Sequence, residues 1–332
     1  MKILGLDVGG AHIKSALVET GATSVMRERV ITPFEIYKNK EKLPHIIRKI
    51  VRQARPDGVA LTMTGELADV FPTRNAGARF ILDSVVKAAK PVRVKVIDTN
   101  GDLIAVSPAR KSPCAIASAN WAATAKWVSQ QIDTCIIVDI GSTTTDILPI
   151  INGAAAVEGR DDFERLGAGE LLYTGYLRTN TAAVCPVVTI QGKSVPTCPE
   201  HFAIMGDAFL YLGEITAQDY TTPTPDNAPK RKSTAARRLA RIVLSDPSKL
   251  GEAGITSIAR QLINSQVQMI VHAVRRIEIE RNIENAPLLL TGHASIYRKR
   301  LRRKISNQFI SRLGVFPVNI VDPASCAAAL WK

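Results

Sequence analysis

Leu6-Asp7-Val8-Gly9-Gly10-Ala11-His12-Ile13-Lys14 and its echo Val138-Asp139-Ile140-Gly141-Ser142-Thr143-Thr144-Thr145-Asp146 decide how this chain folds. Each follows an apolar run, Met1 to Leu6 in one case and Cys135 to Val138 in the other, that reads as a buried strand. Each sets a Gly two residues after an Asp, a small residue next, and a charged residue seven after the Asp. Glycine lets the backbone turn sharply and lets its N–H groups approach an anion. The leading carboxylate can hold Mg²⁺ or a water beside that anion. Two such loops facing each other would clamp a di- or triphosphate, so the pair points to phosphate chemistry.

Outward from these loops the first half alternates strands and helices. Ser15 to Glu19 and Ser24 to Ile31 extend the opening strand as an antiparallel hairpin. Apolar spacing (Leu43, Ile46, Ile47, Ile50, Val51) predicts a helix over 41–54, with further helices over 76–89 and 118–131. Strands are expected over 58–62 and 92–97, the second ending in the turn Asp98-Thr99-Asn100-Gly101. The second half restarts at Cys135 and reads as a structural repeat of the first. An irregular segment follows, with a hairpin at 187–193 and a Pro-rich exposed loop from Thr221 to Pro229. Then come helices over 234–244 and 255–284, a buried strand over 287–290 running into Thr291-Gly292-His293, a strand over 318–321 and a helix over 323–331. The expected division is a first domain of 1–131, completed by the C-terminal helix 323–332, and a second of 132–322 with an insertion at 169–230.

A length of 332 residues suits two domains, and 46% hydrophobic residues argue against disorder. No run of 18 uncharged apolar residues occurs, so no membrane partner is expected. Asp7 and Lys14 interrupt any signal-peptide core. Five cysteines, odd in number and mostly in apolar stretches, suit a reducing cytoplasm. Cys185, Cys198 and His201 lack the paired spacing and fourth ligand of a zinc site. The net charge of +13 suits anionic substrates. Much of it sits at Lys230-Arg231-Lys232, Arg237-Arg238 and Arg298 to Lys304, read here as solvated helix faces. With aromatics at 5% there is little for bases to stack on, so nucleic acid is not an expected partner.

The order of loop, loop and late Thr-Gly resembles the actin/Hsp70/sugar-kinase superfamily, within it the hydantoinase/oxoprolinase branch. More narrowly the chain is similar to the family linked to tetrahydromethanopterin-dependent one-carbon transfer. The motifs that carry this are Leu61-Thr62-Met63-Thr64-Gly65-Glu66-Leu67, Ala119-Asn120-Trp121-Ala122-Ala123-Thr124-Ala125, the second Asp/Gly loop, Tyr173-Thr174-Gly175-Tyr176-Leu177-Arg178-Thr179 and Asp219-Tyr220-Thr221-Thr222-Pro223-Thr224. The resemblance implies an α/β fold of two actin-like (ribonuclease H-like) domains with an interdomain cleft. It also implies an enzyme of methanofuran biosynthesis, a transferase that joins an aminomethylfuran diphosphate to γ-glutamyltyramine and releases pyrophosphate. The alternatives are an ATP-dependent small-molecule kinase, a hydantoinase/oxoprolinase-type amidohydrolase, and a nucleotide-binding regulator without turnover. One departure bears on ATP. Nucleotide-using relatives often carry several Gly after the late strand, where adenosine packs; here Gly292 stands alone before His293-Ala294-Ser295. This leaves ATP open and favours a non-nucleotide diphosphate. A homodimer is a further open expectation.

The residues then take roles. Gly9, Gly10, Gly141, Ser142, Thr143, Thr144 and Gly292 are expected to bind phosphate, with Lys14 as a compact cationic donor. Asp7, Asp139 and Asp146 cannot favour an anion unaided and are the expected Mg²⁺ ligands. Asp7, Lys14, Glu66 and Asp139 form the catalytic set, with Glu66, just past a strand end, the candidate general base. Asn120, Tyr173, Arg178 and His293 are candidate substrate contacts; the planar fork of Arg178 suits a glutamyl carboxylate. Trp121 reads equally well as core.

Overall fold

A computed structural model describes residues 1–21, 24–310, 312–313, 316–317 and 321–331. The chain divides into two units. The first comprises Met1–Ile137, Leu148–Ala168 and Ile310–Lys332, the second Val138–Ile147 and Gly169–Phe309. The boundary therefore falls at 137/138 rather than 131/132, and the segment 148–168 returns to the first unit.

The first unit is built on a six-stranded sheet of β1 (Lys2–Val8), β2 (His12–Glu19), β3 (Val25–Pro33), β4 (Gly58–Met63), β5 (Arg93–Ile97) and β6 (Leu103–Ala105), in the order β3-β2-β1-β4-β5-β6. β1, β4 and β5 are parallel, while β2 and β3 form the antiparallel hairpin beside β1. Every residue of β4 is buried, as a continuous apolar run requires. Helix Leu43–Ala54 turns Leu43, Ile47 and Val51 into this core, one residue per turn. It starts two residues later than the spacing suggests, because Lys40–Lys42 form a separate 3₁₀ turn. Helix Arg74–Ala89 starts earlier, where the Thr73 hydroxyl accepts from Ala76 N–H at 3.1 Å. Helix Pro323–Ala329 lies on β1, and a Cβ at Gly5 would run into the Ala324 carbonyl. Asp322 caps that helix by accepting from Ser325 N–H at 2.9 Å and pairs with Arg29 at 2.5 Å. Most of the expected strand 318–321 lies outside the described residues.

The second sheet uses β7 (Cys135–Ile140), β8 (Thr145–Ile151), β9 (Ala154–Ala155), β10 (Leu171–Leu172), β13 (Leu288–Gly292) and β14 (Phe309–Ile310), ordered β10-β8-β7-β13-β14 with β9 on β8. The expected hairpin is β11 (Val187–Ile190) with β12 (Lys193–Pro196). The succession β7, loop, β8 repeats β1, loop, β2. The long helix runs over Pro247–Glu280, with a break at Gly251 (φ 66°) and an Asp246 cap. Not all of the basic segments are solvated faces. Arg238, on helix Lys232–Arg241, is fully buried; its Nε and Nη2 reach Asp207 Oδ1 at 2.9 and 2.7 Å, and its Nη1 reaches Asp226 at 3.0 Å. Tyr220 donates to the same Asp207 oxygen at 3.1 Å, tying the Asp219–Thr224 motif to this pair. Arg300 forms a bidentate pair with Glu214. The helix at Arg298 is a single turn, Arg298–Leu301, following a 3₁₀ turn. Among the described residues no helix is long and apolar enough to cross a membrane.

Candidate functional site: two strand-end loops

In the first unit, Asp7 lies at the end of β1 directly opposite Lys14 of β2. Lys14 Nζ donates to Asp7 Oδ2 at 3.3 Å; the carboxylate is buried, while the lysine side chain is 38% exposed. The ammonium is therefore anchored on a buried carboxylate while its side chain stays partly open to solvent. Gly9 N–H donates to His12 O at 2.9 Å and closes the turn, and a Cβ at Gly10 would meet nothing within 4 Å. Thr64 and Gly65 N–H both donate to Val8 O at 3.0 Å, which pins the segment before Glu66 to the same strand end.

In the second unit the turn is closed the same way, Gly141 N–H donating to Thr144 O at 2.8 Å. Tyr176 N–H donates to Gly141 O at 3.0 Å and Arg178 N–H to Ser142 O at 2.9 Å, so the Tyr173–Thr179 motif lies along this loop. A Cβ at Gly175 would come within 2.5 Å of Ser142 C and Thr143 N, so only glycine fits. Gln266 of the long helix holds that glycine: its Nε2 donates to Thr174 Oγ1 at 2.8 Å and Gly175 O at 2.7 Å, and its Oε1 accepts from Tyr297 OH at 2.6 Å. At the end of β13, Gly292 has φ +61°, and a Cβ there would strike Asp139 Oδ1 and come within 2.6 Å of Ile140 O. His293 N–H donates to Ile140 O at 2.8 Å and its ring stacks on Tyr176, centroids 3.9 Å apart at 29°. Tyr176 donates to Asp219 O at 3.0 Å, and burial pushes its phenol up to about 12. The imidazole thus covers a buried ring beside the loop and is itself exposed.

Glu66 is fully buried. Ser118 Oγ lies 2.5 Å from its Oε1, and Arg74 Nε approaches the same oxygen at 3.5 Å. Burial pushes this carboxyl up, partly opposed by the Ser118 and Arg74 interactions. It is an interior group, not a solvated base. Asn120 begins helix Asn120–Ser129 and is half-buried. Trp121 is core, with the Arg165 guanidinium 4.6 Å above its ring. Tyr173 is 71% exposed and Arg178 exposed, while Asp146 sits in β8 opposite Leu171.

Each unit thus gathers its own predicted set: Asp7, Gly9, Gly10 and Lys14 near Glu66 in the first, and Asp139, Gly141, Ser142, Arg178, Gly292 and His293 in the second. Sequence reading missed Ser118, Arg74 and Gln266. The last left a trace, as a glutamine buried beside Leu262, Val267 and Ile270; the first two left none. Among the described residues no three acidic, His or Cys side chains group closely enough to hold a metal alone. Hard carboxylate oxygens such as Asp7 and Asp139 do suit Mg²⁺, which commonly takes one or two carboxylates and completes its shell with water and substrate phosphate.

The fold is that of the actin-like α/β proteins. Residues 57–294 match the hydantoinase/oxoprolinase family, and the chain belongs to it. A curated relative from Methanocaldococcus jannaschii is 35% identical over 291 residues, 87% of this chain and 85% of its own. It is named (4-{4-(2-(gamma-L-glutamylamino)ethyl)phenoxymethyl}furan-2-yl)methanamine synthase. Among solved structures, nucleotide-free acetone carboxylase aligns with TM-score 0.53 at 10% identity, covering 92% of this chain and 68% of its own. A ROK family glucokinase from Streptomyces griseus, in complex with glucose and AMPPNP, aligns with TM-score 0.50 at 13% identity, covering 99% of both chains. These two likenesses speak to the fold alone.

Proposed function

We propose that this chain is a methanofuran-biosynthesis transferase, condensing an aminomethylfuran-methyl diphosphate with γ-glutamyltyramine and releasing pyrophosphate. The observation that carries this is the 35% identity, across 87% of the chain, to a synthase whose named product is an aryl ether of a furylmethyl group. In the reaction the phenolic oxygen attacks the furylmethyl carbon. The bond from that carbon to the diphosphate oxygen breaks, its electron pair leaves with pyrophosphate, and the phenolic proton passes to a carboxylate. The furan ring shares the positive charge that develops on the carbon.

Pyrophosphate leaves well only if its developing charge is met by fixed donors. Lys14, the Ser142, Thr143 and Thr144 hydroxyls, and N–H groups at Gly9, Gly10, Gly141 and Gly292 are assigned that work. Asp7 and Asp139, with Asp146 nearby in sequence, would hold Mg²⁺, which when bound supplies charge neutralisation at the diphosphate oxygens. Arg178 and Tyr173 are assigned to the glutamyl carboxylate, and Asn120 and His293 to the rest of the substrates. A phenol ionises near ~10 in water, so a nearby base helps the attack. The expected setting is the cytoplasm, in methanopterin-linked one-carbon metabolism, with a homodimer as the assembly to test.

The test is incubation of the purified chain with Mg²⁺, the diphosphate and γ-glutamyltyramine without ATP, following pyrophosphate and the ether by mass spectrometry. Ether and pyrophosphate in equal amounts, without ATP, are expected. A folded protein that makes neither, or that turns over only when ATP is added, would move the kinase or hydrolase reading to first place.

A further inference from the structure

In the first unit two carboxylates meet one hydroxyl. Ser118 Oγ lies 2.5 Å from Glu66 Oε1 and 2.8 Å from Asp162 Oδ2. A hydroxyl carries a single hydrogen and can donate to only one of them. If both carboxylates were ionised, one would face the hydroxyl oxygen, lone pair against lone pair, at hydrogen-bonding distance. The spacing therefore calls for a second proton, carried by a carboxyl group.

Burial says which. Glu66 is 0% exposed and its Oε2 is sealed without a hydrogen-bond donor, whereas Asp162 is half-buried. An ionised carboxylate is costly in such a place unless fully paired. The nearby cation cannot supply that pairing, since Arg74 is shared. Its Nε is 3.5 Å from Glu66, its Nη1 is 3.4 Å from Asp161 and its Nη2 donates to Ala117 O at 3.0 Å. Two carboxylates, Glu66 and Asp161, thus share one guanidinium. Ser118 itself is held at φ +49°, a conformation unusual for a non-glycine residue and of the kind that gathers at working sites.

We infer that Glu66, Ser118 and Asp162 form a relay in which Glu66 holds a proton and donates to Ser118, Ser118 donates to Asp162, and Asp162 is the base. This rests on the proposed condensation. The phenolic O–H bond breaks as the aryl ether forms, the proton moves to the Asp162 carboxylate, and Asp162 later returns it to water. Glu66 is then a positioning residue, keeping the hydroxyl's hydrogen directed at Asp162, and it never needs to ionise.

Glu66→Gln separates this from the alternative in which Glu66 is the base. A glutamine amide donates to Ser118 as a protonated carboxyl does, so the pH profile of Glu66→Gln should stay where the parent's lies, and its loss in kcat should be at least about tenfold smaller than that of Asp162→Asn. Asp162→Asn should lose about 10²–10⁴-fold in kcat, the range of a general base. Infrared spectra of the whole chain at neutral pH should show a protonated carboxyl C=O band that Glu66→Gln removes. Absence of that band, or a Glu66→Gln loss as large as that of Asp162→Asn in proteins of equal melting temperature, would overturn the relay. A parent that keeps the band but makes no ether would refute the condensation and uphold the shared proton.

Discussion

The two Asp/Gly loops share a backbone plan and differ in what surrounds it. Both are closed by a glycine N–H donating three residues ahead, Gly9 to His12 and Gly141 to Thr144. The first then relies on a side-chain charge, Lys14 anchored on Asp7, and leaves Gly10 uncrowded. The second has no lysine. It is packed by backbone from two sides, through Gly175 against Ser142-Thr143 and Gly292 against Asp139, and it offers hydroxyls. In the proposed reaction both loops hold the diphosphate, the first by charge and the second by shape. The first should therefore tolerate changes of shape and fail on changes of charge, and the second the reverse, apart from Asp139 itself.

The largest expected effect is on turnover. Asp139→Asn, which would weaken the hold on Mg²⁺, should lower kcat for ether formation by about 10³-fold, and Lys14→Met by about 10²-fold, the scale of losing one group that meets developing charge. Equal losses on swapping Ser142→Ala for Lys14→Met would erase the distinction between the loops. Next is stability. Gly292→Ala adds a Cβ at positive φ against Asp139 and should cost about 2–4 kcal/mol in urea unfolding, combining overpacking with backbone strain. Gly10→Ala should stay within about 0.5 kcal/mol. Gln266→Leu, which leaves Thr174, Gly175 and Tyr297 without their buried partner, should cost about 2–3 kcal/mol and loosen the second loop alone.

The smallest effect is a pH dependence. Burial raises the Glu66 carboxyl above its ordinary value in the folded chain. Through that window the folded state keeps a proton the unfolded state has lost, so stability from this group is present below the ordinary carboxylate range and declines as pH rises. Glu66→Gln has no such group, so the parent should lose stability relative to it as pH climbs from the ordinary carboxylate value toward neutrality. A constant difference between the two proteins across that range would contradict a neutral Glu66.

Much of this was legible in the sequence because it is local. Strand, Asp-x-Gly loop and returning strand are specified within a dozen residues, and the buried run of β4 and the stripe Leu43, Ile47, Val51 need only the strand and helix periods. Helix starts moved where the deciding group was a cap, from 76 to Arg74 behind Thr73 and from 255 to Pro247 behind Asp246. What stayed hidden is long-range. Ser118 meets Glu66 and Asp162 across 52 and 44 residues, and Arg238 reaches Asp207 across 31. Nothing in the local pattern distinguishes a serine between carboxylates from a surface serine, or an arginine paired in the interior from one in a basic face. Gly175 shows the middle case: its motif was visible, but its reason, backbone contact with Ser142-Thr143, was not.

The proposed condensation has the phenolic oxygen attack carbon and expel pyrophosphate. It is tested most directly with γ-glutamyltyramine carrying a heavy-oxygen label in its phenol, in the presence of Mg²⁺ and the furan diphosphate. The label is expected in the ether, with none in the released pyrophosphate. Label bonded to phosphorus in any product would show attack at phosphate and contradict the condensation.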